Sequence, residues 1–169
     1  LVLRRALEYA STFALPCLLT PVDPALAGGC LNEGPTATRL GLAGIPAAAE
    51  TAGLGRQIAV AGATQARVHF GRLSSAEGTR LLMAALGEGQ KLSADVAIHQ
   101  LFLTDQDAME FDPRFHLQPP LRDIIDREAL RQAVADGVIR IICSDHQPHD
   151  QDAKDGPFAS TESGASGLD

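Results

Sequence analysis

The sequence predicts an α/β fold in which a parallel sheet is covered by helices. Strand-like apolar runs alternate along the 169-residue chain with amphipathic runs of helical periodicity, an order typical of parallel strands joined by helices. The strand-like runs are apolar at consecutive positions, which indicates strands buried on both faces. Apolar residues make up 45% of the chain and charged residues 21%, which is the composition of a globular domain with a sizeable core.

The first half of the chain predicts two helices and two strands. Residues 1–14 place apolar side chains at helical spacing, and residues 16–20 form a short apolar run. Residues 21–45 are rich in Pro, Gly, Asn and Asp, which favours a long loop. A second helix is predicted over 45–63 and a second strand over 67–71.

The second half repeats this alternation. Residues 74–86 predict a helix that begins with Ser-Ser-Ala-Glu, an approximate capping box. A third strand is predicted over 92–98 and is followed by a long loop over 99–122. The last pair is a helix over 123–135 and an apolar strand over 138–143.

Polar side chains follow or close each predicted strand. The carboxyl ends of parallel strands lie on one face of a sheet, so we expect these side chains to meet there. They are, in chain order, Asp23, His69, His99 and Asp145, with His146 and His149 in the loop behind the last strand.

Two imidazoles and two carboxylates are a reasonable set of ligands for zinc. Such a set leaves room for a bound water whose pKa falls towards neutrality. A nearby aspartate could take a proton from that water and return it to a leaving group. One hypothesis from the residues is therefore a zinc-dependent site at the strand ends.

Each of these residues also has a structural explanation. A histidine at a strand end, such as His69 or His99, is more often a hydrogen-bonded structural residue than a ligand. Asp23 precedes a proline, which is typical of a turn or cap, and loop 145–149 fits turn chemistry as well as catalysis. His116, beside a Pro-Pro pair, is expected at the surface or behind the site. Spacing alone leaves both explanations open.

Composition disfavours several classes of function. A net charge of −7 disfavours binding to nucleic acids and anionic membranes, which needs clustered Lys and Arg. The three cysteines form no CxxC motif, and Cys17 and Cys143, which lie inside apolar runs, are interpreted as small buried thiols. No signal peptide or membrane-length apolar run is present, so we expect a cytoplasmic protein. The chain opens inside a helical pattern without Met, and we expect a piece of a larger protein.

Ordered motifs along the whole chain resemble the dihydroorotases of the metal-dependent amidohydrolase superfamily. SDHQPH at 144–149, followed by KDGPF, is similar to the family's last-strand signature TDHAPH…PF. Further segments resemble family motifs in the same order, namely NEG with RLGLAGIPAAAE (32–50), VHF with SSAE (68–77), AIHQLFLTD (97–105) and QPPLR (118–122).

The resemblance implies a partial (β/α)8 barrel of the TIM type, namely its C-terminal half. Residues 1–169 would be part of a single barrel domain truncated at both ends, since a full barrel needs about 250 residues. The implied site residues are Asp23 as a metal-bridging carboxylate, His69 and His99 as zinc ligands, Gln118 and His149 in contact with substrate, and Asp145 as the metal-linked catalytic proton carrier.

Several positions depart from the family pattern. Thr20-Pro-Val-Asp23 stands where the family has His-Ala-Glu-Asp, Gln100 replaces a histidine, Gln118 replaces an asparagine, and residues 157–169 lack the PFGIVGLE loop. The family's first-strand His-x-His motif and its carboxylated lysine are absent from this chain. These departures resemble a degenerate dihydroorotase-like protein that is inactive and holds the aspartate transcarbamoylase assembly together.

The resemblance thus implies two alternative functions in de novo pyrimidine biosynthesis. The substitutions favour a non-catalytic structural partner of aspartate transcarbamoylase. The retained His69, His99 and Asp145 favour the alternative, an active zinc-dependent dihydroorotase that interconverts carbamoyl aspartate and dihydroorotate. For the isolated chain we expect no activity and poor stability, because half a barrel exposes sheet edges and core.

Overall fold

The main sheet is four-stranded and wholly parallel. A computed structural model describes residues 1–168. The strands are Pro16–Leu19 (β1), Leu31–Asn32 (β2), Gly44–Ile45 (β3), Arg67–Phe70 (β4), Leu92–Ala97 (β5) and Ile141–Cys143 (β6). The main sheet has the order β1-β4-β5-β6, and β2 pairs with β3 in a separate parallel ladder. The predicted parallel α/β architecture is confirmed.

Helices connect these strands. Those of residues 1–168 are Val2–Thr12 (α1), Pro35–Leu40 (α2), Ala47–Thr64 (α3), Ala76–Gly87 (α4), Ile124–Ala135 (α5) and Gln151–Lys154 (α6). The Ser75 hydroxyl accepts a hydrogen bond from the Gly78 amide and caps α4, and the Asp123 carboxylate caps α5 in the same way. Both caps satisfy first-turn amides that have no partner within the helix. No helix in this part of the chain is long and apolar enough to cross a membrane.

Three predicted boundaries differ from the structure. The predicted loop 21–45 contains β2, α2 and β3, and the loop 99–122 contains three short 3-10 helices. Two-residue strands and single helical turns are too short to produce a detectable periodicity. The last strand begins at residue 141 rather than 138, because Gly137 adopts a left-handed conformation (φ +71°) and the chain turns there before pairing.

The core lies between the sheet and its helices. Helix-facing side chains of β4 and β5, such as Phe70 and Val96, are fully buried against Leu54 of α3, Leu82 of α4 and Leu130 of α5. The opposite face is different: it is polar in β4 and β5, and in β1 the Leu18 side chain is 75% exposed. The expectation that both faces are buried is therefore wrong for residues 1–168. Polar residues at alternate positions were obscured by their apolar neighbours in the sequence.

The position of α3 depends on a close approach at Gly53. A Cβ atom added there would lie 2.5 Å from the backbone of Val22, whereas one added at Gly55 of the same helix would meet nothing within 4 Å. We expect Gly53→Ala to destabilise the protein by about 1–3 kcal/mol through overpacking. Gly55→Ala should instead stabilise it by up to ~1 kcal/mol, since alanine is the better helix former.

Urea unfolding of the two glycine variants beside the wild type measures both effects. A lower midpoint for Gly53→Ala and a slightly higher one for Gly55→Ala, relative to the wild type, supports the close approach. Two variants that shift in the same direction would show that Gly53 does not set the spacing of α3.

Candidate functional site

Asp95 is the centre of a polar cluster on the open face of the sheet. Its Oδ2 lies 2.7 Å from Nε2 of His69 on β4, and its Oδ1 accepts a hydrogen bond from the Arg72 amide at 2.7 Å. The Cys143 thiol at the end of β6 donates to the same Oδ1 at 3.3 Å. One carboxylate therefore joins three neighbouring strands near their carboxyl ends.

His69 uses both of its ring nitrogens within the protein. Nδ1 lies 2.9 Å from the Ser93 hydroxyl, and Nε2 pairs with Asp95. The structural explanation given for this histidine matches these contacts. Its assignment as a zinc ligand stays a prediction, and binding a metal would require one of these hydrogen bonds to break.

Arg72 and Asp145 form an ion pair across the strand ends. Arg72 follows β4 and has a left-handed backbone (φ +59°). Its Nη1 lies 3.0 Å from Asp145 Oδ1 and also donates to the Gln118 carbonyl at 3.2 Å. The same Asp145 oxygen accepts a hydrogen bond from Gln147 at 2.6 Å. The residue expected to carry protons is thus held by a guanidinium and an amide.

His99 lies beside this ion pair. Burial lowers the pKa of its imidazole; the Asp145 carboxylate acts in the opposite direction, and the Arg72 guanidinium lowers it further. Its Nε2 is buried and has no hydrogen-bond partner among residues 1–168. His99 and Asp145 are therefore the two predicted site residues that the structure brings together, with Arg72 as their shared neighbour.

The Asp23 side chain forms a local turn. Its Oδ1 accepts a hydrogen bond from the Ala25 amide at 3.0 Å, and its own amide donates to the Ala49 carbonyl. This is the turn role that was the structural alternative for Asp23. Its metal-bridging role stays a prediction.

The two predicted substrate-contacting residues lie in loops at the site. Gln118 lines a cleft of about 280 Å³ together with Arg72 and Gln147. His149 is exposed, and its Nε2 lies 2.9 Å from the Ser163 carbonyl oxygen. Substrate contact by either residue stays a prediction.

His116 is a structural residue in the interior. Its side chain is buried, lies 3.0 Å from the Thr161 hydroxyl and stacks on Phe158 with ring centroids 5.3 Å apart. Burial lowers the pKa of its imidazole. Of the two positions expected for His116, at the surface or behind the site, the surface position is wrong, because the loop over 157–161 folds back across the ring.

Cys143 is not poised as a nucleophile. Burial, followed by the hydrogen bond to Asp95, raises the pKa of its thiol to about 12. A thiol must ionise to react, so Cys143 acts here as a hydrogen-bond donor.

The side chains do not fit a zinc ion as they stand. In the part of the chain that the structure describes, no group of three or more His, Cys, Asp or Glu side chains is placed to hold a metal. The His69 nitrogens are both engaged, and the Asp145 carboxylate already faces a cation. The predicted four-residue ligand set is therefore not assembled in residues 1–168, although its members follow parallel strands as expected.

Sequence reasoning missed Arg72 and Asp95. A signal for Asp95 existed, since the β5 sequence Ser93-Ala-Asp95 alternates polar and apolar residues beside His69 on the neighbouring strand. Arg72 gave no such signal, because an arginine two residues beyond a strand is ordinary in loops.

Comparison with curated proteins finds relatives that align with the whole chain. The chain is 51% identical to a dihydroorotase-like protein of Pseudomonas aeruginosa over 169 residues, and 46% identical to one of Pseudomonas putida over 168 residues. It is 42% identical to a dihydroorotase of Syntrophobacter fumaroxidans over 170 residues. These alignments cover 99–100% of the chain but only 39–40% of each relative. No protein-family model matches the chain.

Solved structures agree on the fold. An L-hydantoinase of Arthrobacter aurescens superposes with a TM-score of 0.85 at 21% identity, covering 98% of this chain and 38% of that one. A dihydroorotase of Campylobacter jejuni superposes with a TM-score of 0.70 at 17% identity, covering 96% and 41%. These neighbours are TIM-type barrels, and the parallel sheet with its helices corresponds to part of such a barrel. Over the 39–40% of their length that it spans, the chain is similar to proteins named dihydroorotase and dihydroorotase-like protein, and it has the fold of the corresponding part of a TIM-type barrel.

Proposed function

We propose that the intact protein is a catalytically degenerate, dihydroorotase-like protein of pyrimidine biosynthesis that serves as a structural partner of aspartate transcarbamoylase. The observation that supports the degenerate site is the Arg72–Asp145 ion pair at 3.0 Å. An aspartate that must accept and return protons works best when it is free to exchange them. Here it is held by Arg72 and Gln147.

The similarity to other proteins supports the same proposal. The relatives at 51% and 46% identity carry the name dihydroorotase-like protein. The substitutions at 20, 100 and 118 change positions where the family pattern has histidine, histidine and asparagine. The partnership with aspartate transcarbamoylase rests on the resemblance to the degenerate type alone.

An active zinc-dependent dihydroorotase is the alternative. A relative named dihydroorotase is 42% identical to the chain, and the Asp145 carboxylate still acts on the His99 imidazole at the strand ends. In this alternative, Arg72 would have to leave Asp145 before the site could work.

Two measurements on the intact protein decide between these functions. We expect no detectable cyclisation of carbamoyl aspartate above the rate of an Asp145→Asn control. We also expect co-purification with aspartate transcarbamoylase of the same organism and a change in the assembly size of that enzyme, measured by light scattering. Turnover that disappears in Asp145→Asn would establish the active enzyme, and an unchanged assembly would refute the partnership.

A further inference from the structure

We propose that the Arg72 guanidinium takes the place of a metal cation at the strand ends, as a permanent positive charge that holds Asp145. The inference deepens the proposed function and rests on its catalytically degenerate part, but it does not depend on the partner. It assigns to one side chain of this chain the charge that a bound divalent ion would otherwise supply.

The backbone fixes Arg72 in this position. Its amide donates to Asp95 Oδ1 at 2.7 Å, and its left-handed φ turns the chain away from β4 directly after the strand. The side chain then reaches Asp145 beyond β6 and the Gln118 carbonyl in a third segment. Arg72 therefore ties together three parts of the chain that are distant in sequence, as a bound ion does.

The negative charge of Asp145 is already balanced by the Arg72 guanidinium. Its side chain is only 9% exposed, and its Oδ1 accepts from both Arg72 and Gln147. Guanidinium stays charged at every pH at which the protein is folded and offers several donors in one plane. A divalent cation bound to Asp145 would have to displace this group or lie beside it against electrostatic repulsion.

His99 has one feature that favours metal binding, namely a ring nitrogen without a hydrogen-bond partner in the described part of the chain. Its Nε2 is buried without a partner among residues 1–168. Within residues 1–168, a single imidazole with an occupied carboxylate falls short of the three protein ligands of a catalytic zinc site. With Arg72 on Asp145, His99 therefore has no carboxylate beside it among these residues that is free to share a metal.

Zinc retention tests the proposal without any assay of activity. The intact wild-type protein, Asp145→Asn and His99→Gln are expressed with added zinc, desalted and measured by mass spectrometry for bound metal. We expect the same zinc content in all three proteins, since neither residue would ligate a metal. Zinc that is present in the wild type and lost in both variants would overturn the inference.

Stability tests the other half of the proposal. Arg72→Met should lower the melting temperature by several degrees, because it leaves Asp145 without its cation. Arg72→Lys should recover part of this loss, since it keeps the positive charge but not the planar guanidinium whose Nη1 reaches both Asp145 and the Gln118 carbonyl. Arg140→Met, at an exposed arginine bonded only to the Gly137 carbonyl, is the matched control. An Arg72→Met protein as stable as this control would overturn the inference.

The outcomes separate this inference from the proposed function. If zinc is bound through Asp145 and His99 but there is no turnover, the proposal that Arg72 takes the place of a metal cation is refuted. The proposed degenerate function is then unaffected. A protein with turnover but without such zinc refutes the degenerate function and leaves the role of Arg72 in place.

Discussion

Replacing Arg122 with methionine is expected to lower the free energy of unfolding by about 3–5 kcal/mol, because it breaks a buried network from the cationic side. Arg122 is 2% exposed. Its Nη1 donates to the Asn32 side chain at 2.8 Å and to the Ile45 carbonyl at 2.6 Å, and its Nε donates to the Ser74 hydroxyl at 3.2 Å. Methionine fills the space but satisfies none of these acceptors.

Glu50 is the anionic end of the same network. Its carboxylate accepts four hydrogen bonds, from the amide and hydroxyl of Ser74 and of Ser75, at 2.6–3.1 Å. Burial raises the pKa of Glu50, and the two hydroxyls and the Arg122 guanidinium oppose this rise. Removing Arg122 should raise the pKa of Glu50 in the folded state further above that of the unfolded chain. The loss of stability should therefore be smaller in mildly acidic than in mildly alkaline buffer.

Urea unfolding of the intact protein at two pH values tests this prediction. Arg80→Met is the control, since Arg80 is exposed and pairs only with Glu77 on the surface of α4, where ion pairs contribute little. Glu50→Gln should also destabilise, and the double variant should lose less than the sum, because both residues share one network. Equal midpoints for Arg122→Met and Arg80→Met would contradict the proposed energetic role.

The parallel sheet and the polar residues at the carboxyl ends of its strands could be predicted, because both depend on patterns that repeat along the chain. Each main strand appears as an apolar run, and the polar residues that follow the strands mark their carboxyl ends. The cap at Ser75 was likewise visible as a hydroxyl ahead of helical periodicity. These features are local, and a single sequence contains them.

The chemistry of the site could not be predicted to the same extent, because it depends on side-chain direction. His69 was expected to face a metal, but it points across the sheet to Ser93 and Asp95. Arg72 comes three residues later, and its left-handed backbone turns the side chain towards Asp145. No sequence pattern predicted this backbone conformation. The predicted ligand, His69 in β4, and the residue that contacts Asp145, Arg72 just after β4, are therefore only three positions apart in the sequence.

The Asp95 carboxylate is expected to contribute about 2–4 kcal/mol of stability, because Asp95→Ala leaves three donors at the strand ends unpaired. These donors are the His69 ring, the Arg72 amide and the Cys143 thiol. Asp95→Asn should cost less, since its amide oxygen can still accept from the Arg72 amide. Urea unfolding of both variants measures the difference.

Cys143 provides a second, local measurement of the same contact. Its thiol pKa is raised to about 12 by burial and then by Asp95, so removing the charge in Asp95→Asn should lower that pKa. Iodoacetamide should then alkylate Cys143 several-fold faster in alkaline buffer. Cys30 is the internal control, because it is buried in a different apolar cluster and donates to the Ala43 carbonyl. Faster alkylation of Cys143 but not of Cys30 supports the contact with Asp95. Equal acceleration of Cys143 and Cys30 would show that the variant unfolds, and it would contradict a specific effect of Asp95 on the thiol pKa of Cys143.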